Sequence, residues 1–95
     1  MTKEFFQKAH DEVELFGKVD TPEQPKGVIV IVHGLCEHQG RYDYVTQYLN
    51  AQGFKVYRFD HRGHGRSKGW RVYYKNREEI IEDVKVFVDL ALKEN

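Results

Sequence analysis

With 95 residues, the chain amounts to one domain or less, which excludes any function that needs two domains and a cleft between them. Its 15 Lys and Arg balance 15 Asp and Glu with no long run of either sign, and this argues against a nucleic-acid module, which would carry a basic stripe. Hydrophobic residues make up 40% and charged residues 32%, too apolar for a disordered tail, although a chain this small buries only a little over roughly 60% of its unfolded surface.

Residues Phe5 to Val19 predict two short strands around a turn at Asp11-Glu12, because Val13, Leu15 and Val19 share one parity. The stretch Thr21-Pro22-Glu23-Gln24-Pro25-Lys26-Gly27 holds both prolines and predicts a loop. Val28-Ile29-Val30-Ile31-Val32 is β-branched at every position and bounded by Gly27 and Gly34, the pattern of a central strand buried on both faces. Tyr42, Val45, Tyr48 and Leu49 recur at helical spacing, and Gly53 supplies a stop, so a helix is expected near Arg41 to Gln52. Phe54 to Phe59 predicts a second core strand, and Asp60 to Gly69, with three glycines before Trp70, a loop. Asn76 with Glu79 gives a capping-box pattern for a last helix, whose apolar stripe is Ile80, Val84, Phe87 and Ala91, reinforced by Ile81 and Val88. The order βαβα implies an α/β fold with a parallel pair packed under helices, in a single partial domain over residues 1–95 that stops in the middle of a unit.

Cys36 is the only cysteine, so no internal disulfide staples the chain and a cytoplasmic location is the expectation. Met1 to His10 mixes Lys3, Glu4 and Lys8 with two Phe and does not read as a signal peptide; the longest apolar run, Val28 to Val32, is far short of a membrane span.

Chemistry is expected where the buried strand ends, since ligands in parallel sheets bind beyond the carboxyl ends of strands. There His33-Gly34-Leu35 turns sharply, and the N–H of Leu35 could point into open space as an oxyanion donor; a plain strand-ending turn fits the residues equally well. Five histidines, His10, His33, His38, His61 and His64, raise a metal reading, yet His61-x-x-His64 beside Asp60 matches no three-ligand hydrolase pattern, so structural or surface roles are expected. Glu37 and Arg41 read as a local ion pair, and Cys36 as an inert thiol with no neighbouring base.

The loop His33-Gly34-Leu35-Cys36-Glu37-His38-Gln39-Gly40-Arg41-Tyr42, then Gln52-Gly53-Phe54, then Asp60-His61-Arg62-Gly63-His64-Gly65-Arg66-Ser67-Lys68-Gly69, resembles the monoacylglycerol lipase and lysophospholipase branch of the α/β-hydrolases, the serine aminopeptidase S33-like group. The match runs from about Leu15 to Leu92 and covers only the N-terminal portion of that catalytic domain. Two departures are a cysteine, Cys36, where the family usually has glycine, and Asp11-Glu12 where Asp-Gly is common.

The resemblance implies an α/β-hydrolase sheet, an antiparallel hairpin followed by parallel β-α-β-α, cut before the nucleophile strand. It implies that Leu35 N–H is one of two oxyanion donors within the loop of His33 and Gly34. It also implies that Asp60, Arg62, Gly63, His64, Gly65, Ser67 and Gly69 form a shaping loop in which Arg62, His64 and Ser67 hold backbone conformation. Gly65-Arg66-Ser67-Lys68-Gly69 satisfies G-x-S-x-G but is rejected as the nucleophile elbow. The elbow needs a strand running into the serine and a helix leaving it, and in this fold Ser precedes Asp or Glu and then His, whereas no histidine follows His64. The expected function is therefore the N-terminal segment of a serine ester hydrolase, acting in the complete protein on an ester or lipid-like small molecule. It would use no cofactor, metal or nucleic acid, and the chain alone would be inactive and self-associating through an open sheet edge. The alternatives are a non-catalytic remnant or interaction module of the same fold and, less favoured, a metal hydrolase built on His61 and His64.

Overall fold

The structure, a computed structural model, describes residues 1–34, 38–69 and 77–95. Strand β1 (Thr2–Lys8) pairs antiparallel with β2 (Glu14–Asp20), from Thr2 opposite Asp20 to Lys8 opposite Glu14, around the predicted turn. After the proline loop, β3 (Gly27–Val32) leads through a 3-10 turn (Gln39–Tyr42) into helix α1 (Asp43–Ala51). Gly53 then reverses the chain at φ 96°, a left-handed conformation that costs glycine nothing, and its carbonyl accepts from the Lys26 N–H at 2.8 Å. Strand β4 (Phe54–Phe59) and helix α2 (Arg77–Glu94) complete the order.

The sheet runs β1-β2-β4-β3, with β4 antiparallel to β2 and parallel to β3. The pleat of β4 sends Tyr57 and Phe59 to one face and Arg58 to the other. On the first face, α2 lays Phe87 flat on Phe59, with ring centroids 4.3 Å apart, over a core that includes Leu15 and Ala9. Ala91 of α2 joins Val19 and Tyr57 in a second cluster. On the opposite face, the Arg58 guanidinium reaches α1 by donating to the carboxylate of Asp43, and also donates to Asp20 at 3.2 Å and to the Gln39 carbonyl at 3.1 Å.

Two expectations need correction. The run Val28 to Val32 is not a central strand: β3 pairs only with β4 among the described residues, and Val28 and Val32 are 40% and 42% exposed. The inner places belong to β2 and β4, each flanked on both sides, and Val56, Tyr57 and Phe59 of β4 are wholly buried. Ile81 and Val88 do not reinforce the buried stripe of α2; both are exposed, and Val88 lines with Val28, Val30, Ala91 and Leu92 a groove of about 340 Å³ between α2 and β3. The buried positions are Asp83, Phe87 and Ala91, so one of the three residues facing inward is charged.

Candidate functional site at the ends of the parallel strands

Because β3 and β4 run parallel, both chains leave the sheet at the same end, β3 into His33-Gly34 and β4 into the loop from Asp60 to Gly69. Three histidines meet there, His33, His61 and His64, all buried. The His61 backbone N–H donates to His33 Nε2 at 2.8 Å, and the His61 ring nitrogen Nε2 donates to the His33 carbonyl at 2.9 Å. These reciprocal bonds fix the tautomers. His33 must carry its proton on Nδ1, which lies 2.6 Å from the Gly34 carbonyl, and His61 must carry its own on Nε2. His64 Nδ1 lies 3.0 Å from the Arg62 carbonyl and is protonated by the same reasoning. Burial, reinforced by any positive charge on His33, pushes the His61 pKa below its ordinary value.

The loop is held by its own side chains. The buried carboxylate of Asp60 accepts from the backbone N–H groups of Gln39, at 2.6 Å, and Arg66, at 3.0 Å, so one side chain ties the start of the 3-10 turn to the loop. Gly65 sits against that carboxylate at φ 50°, where a Cβ would collide with it. The Ser67 hydroxyl accepts from the Phe16 N–H at 2.7 Å and donates to the Asp60 carbonyl at 2.5 Å. Its proton and its accepting direction are both engaged in backbone bonds, and no histidine ring bonds to it.

Arg62 reaches away from the backbone toward three carboxylates. It donates to both oxygens of Asp83, at 2.7 and 2.8 Å, and to both of Asp11, at 2.9 and 3.1 Å, with Glu79 at 3.5 Å. The hydrogen bonds to Asp83, followed by those to Asp11, raise its pKa further above an already high value. Conversely, the Arg62 guanidinium holds the Asp11 carboxyl below its ordinary range. Glu79, expected to cap α2, is turned to this arginine, while its proposed partner Asn76 lies outside the described residues.

The other sequence candidates divide in the same way. Leu35, Cys36 and Glu37, hence the oxyanion donor, the thiol and the acidic half of the pair with Arg41, lie outside the described residues. His33, Gly34, Asp60, Arg62, Gly63, His64, Gly65, Ser67 and Gly69 are brought to one end of the sheet. His38 stands apart, its Nδ1 accepting from the Gly40 N–H at 3.1 Å at the start of the 3-10 turn. Among the described residues no three His, Cys, Asp or Glu side chains are arranged to hold a metal ion, and Nε2 of both His33 and His61 is already committed to a hydrogen bond. Sequence reasoning missed Arg58, Asp20 and Asp83; only Asp83 carried a local signal, standing three residues after Ile80 and four before Phe87 on the helix face assigned to the core.

A family model described as serine aminopeptidase, S33, matches residues 23–95. The chain belongs to the S33 family. It is 44% identical over 84 residues to a monoacylglycerol lipase of Mycolicibacterium smegmatis, covering 87% of this chain and 30% of that lipase. It is 37% identical over 70 residues to the monoglyceride lipase of Mus musculus, covering 74% of this chain and 23% of the mouse protein. In structure it resembles a highly thermostable carboxyl esterase of Bacillus coagulans, with TM-score 0.85 and 25% identity over 98% of this chain and 32% of the esterase. The chain is thus a monoacylglycerol-lipase-like member of the S33 serine hydrolases with an α/β-hydrolase arrangement of strands, and it spans about a third or less of the length of these relatives. Among the described residues no helix is long and apolar enough to cross a membrane.

Proposed function

We propose that these residues form the oxyanion side of the active site of a carboxylic ester hydrolase acting on monoacylglycerols, lysophospholipids or similar esters. The observation that carries this reading is the strand end at His33, buried against the loop after β4 and tied to it by two reciprocal hydrogen bonds. Such a clasp supports a rigid start for the turn at Leu35, and a rigid donor is what stabilises a developing oxyanion. In this reading Leu35 N–H binds the oxyanion, while the nucleophilic serine, the acid, the histidine and the second donor belong to the two-thirds of the relatives' length that this chain does not span. Asp60, Arg62, Gly63, His64, Gly65, Ser67 and Gly69 shape the loop and do not react. A cytoplasmic setting belongs to the same reading, supported by the lone Cys36.

On this reading the 95 residues alone do not hydrolyse esters and do not react with a fluorophosphonate probe, because Ser67 has neither a free hydroxyl nor a base. Stoichiometric labelling, abolished by Ser67→Ala, overturns it. Joined to the remaining two-thirds of the Mycolicibacterium lipase, the chain is expected to hydrolyse a monoacylglycerol. Leu35→Pro, which deletes the donor, should reduce kcat by about 10²–10³-fold. An unchanged kcat in a folded Leu35→Pro chimera removes Leu35 from the oxyanion site.

The apolar outer edge of β3 adds a physical consequence, since an uncharged, unpaired strand edge recruits another strand. The isolated chain is expected to self-associate through it, and Val28→Lys, at a position 40% exposed, should reverse this in sedimentation velocity. A stable monomer of the unaltered chain, unfolding cooperatively, favours instead a non-catalytic module of the same fold.

A further inference from the structure

We propose that His33 and His61, packed against His64, form an acid-sensitive latch that joins the end of β3 to the end of β4 while the pair is neutral and releases it when the pair takes up a proton. The rings contact one another directly: centroids are 4.3 Å apart for His33 and His61, 5.4 Å for His33 and His64, and 6.1 Å for His61 and His64. Three imidazoles at these separations cannot all be charged in a site almost closed to water, since like charges there repel and lack hydration.

The hydrogen bonds make the consequence specific. His33 Nε2 is an acceptor for the His61 N–H, so a proton placed on that nitrogen opposes another N–H at 2.8 Å and breaks the clasp. His61 Nδ1 is buried with no hydrogen-bond partner, so a proton placed there gains a charge with nothing to accept it. The groups facing His61 are His33 from the end of β3, His64 from its own loop and Asp83 from α2, with Phe59 of β4 edge-on at 5.4 Å. The His33 carbonyl, which accepts from His61 Nε2, and Asp83 both favour a charged His61, but burial and charge on His33 outweigh them, and the Asp83 carboxylate is already taken by Arg62. The neutral state is therefore the one the fold selects, in agreement with the downward displacement of the His61 pKa.

The sign follows. A histidine whose folded pKa lies below its unfolded value of 6.5 contributes stability that is complete above pH 6.5 and is lost as the pH falls from there through the folded value. The latch stands on these contacts alone. Its consequence for catalysis, a turn at Gly34 that loosens in acid, rests on the oxyanion reading above, and the test is chosen not to depend on that reading.

The test uses the 95-residue chain. Nitrogen-15 NMR of the imidazole rings is expected to show His61 neutral, protonated on Nε2, at and below pH 6.5. The folding equilibrium constant from urea denaturation should fall between pH 7.5 and 5, by at most about tenfold per pH unit for each proton taken up. His61→Gln keeps an N–H donor toward the His33 carbonyl but cannot titrate, and should flatten this dependence. A His61 that titrates at or above 6.5 overturns the proposal, as does a folded His61→Gln chain with the wild-type pH slope. Should His61→Gln not fold, the ring titration of the unaltered chain decides alone.

Discussion

Arg62 and Asp83 form a two-pronged pair in which the carboxylate is wholly excluded from solvent and both of its oxygens accept from the guanidinium, at 2.7 and 2.8 Å. The pair fastens α2 to the loop after β4, and the same arginine extends to Asp11 in the turn between β1 and β2. Removing the arginine leaves Asp83 charged and unpartnered inside the core. Arg62→Ala is expected to cost about 3–5 kcal/mol, comparable with the whole stability of a chain this size, so circular dichroism should show no cooperative melt. Arg62→Lys keeps the charge but loses the fork, and should cost less. The Asp11 end adds a pH dependence in a more acidic range than that of His61. Its carboxyl is held below 3.8, so this contribution is present above that pH and is lost as acid protonates it, and Asp11→Asn should remove that step from an acid titration.

Ser67 is expected to matter for folding and not for chemistry. Ser67→Ala leaves the buried Phe16 N–H without an acceptor, which costs about 1–3 kcal/mol. Urea denaturation measures this directly, and a variant as stable as wild type shows that the hydrogen bond has been replaced.

Glu12 occupies the hairpin turn at φ 74°, a left-handed conformation unfavourable for a residue with a Cβ. Its ion pair with Lys8, 3.5 Å long, is exposed and worth little. Glu12→Gly should therefore stabilise the chain by about 0.5–1 kcal/mol, the relief of strain being partly offset by the greater unfolded-state freedom of glycine. A rise in melting temperature checks this, and a fall means that the turn rearranges in the variant.

Gly17 in β2 lies beneath two aromatic rings, where a Cβ would come within 2.7 Å of Phe87 and 2.8 Å of Phe5. Gly17→Ala is expected to destabilise by about 1–3 kcal/mol through overpacking. Combining it with Phe87→Leu should cost less than the sum of the two single changes, a coupling that a double-mutant cycle measures.

The hairpin, the two later strands and both helices were legible because each depends on local pattern: parity in Val13, Leu15 and Val19, β-branching in Val28 to Val32, helical spacing from Tyr42 to Leu49. What pattern could not reveal was pairing across distance. Asp83 occupies an inward position of α2, yet its charge marks it for the surface unless Arg62, 21 residues earlier, is known to meet it. Arg58 is hidden in the same way by partners at Asp20 and Asp43. Composition alone read β3 as buried on both faces, because a strand at an edge and a strand between two neighbours have the same composition; its open edge was legible only through the family resemblance. At the candidate site, the motif residues were located from sequence, whereas the clasp between His33 and His61 depends on backbone groups that no side-chain pattern encodes.

The strand order carries a consequence for synthesis. Among the described residues both β2 and β3 pair with β4, which is made after them, so neither meets that partner until β4 has emerged. At about 5–20 residues per second, the stretch from Val32 to Phe59 takes on the order of one to five seconds to emerge. Throughout that interval Val28-Ile29-Val30-Ile31-Val32 is uncharged, β-prone and without its partner, the profile of a segment that nascent-chain chaperones must shield. Slower translation across α1 is expected to lengthen the interval in which this segment stands without β4.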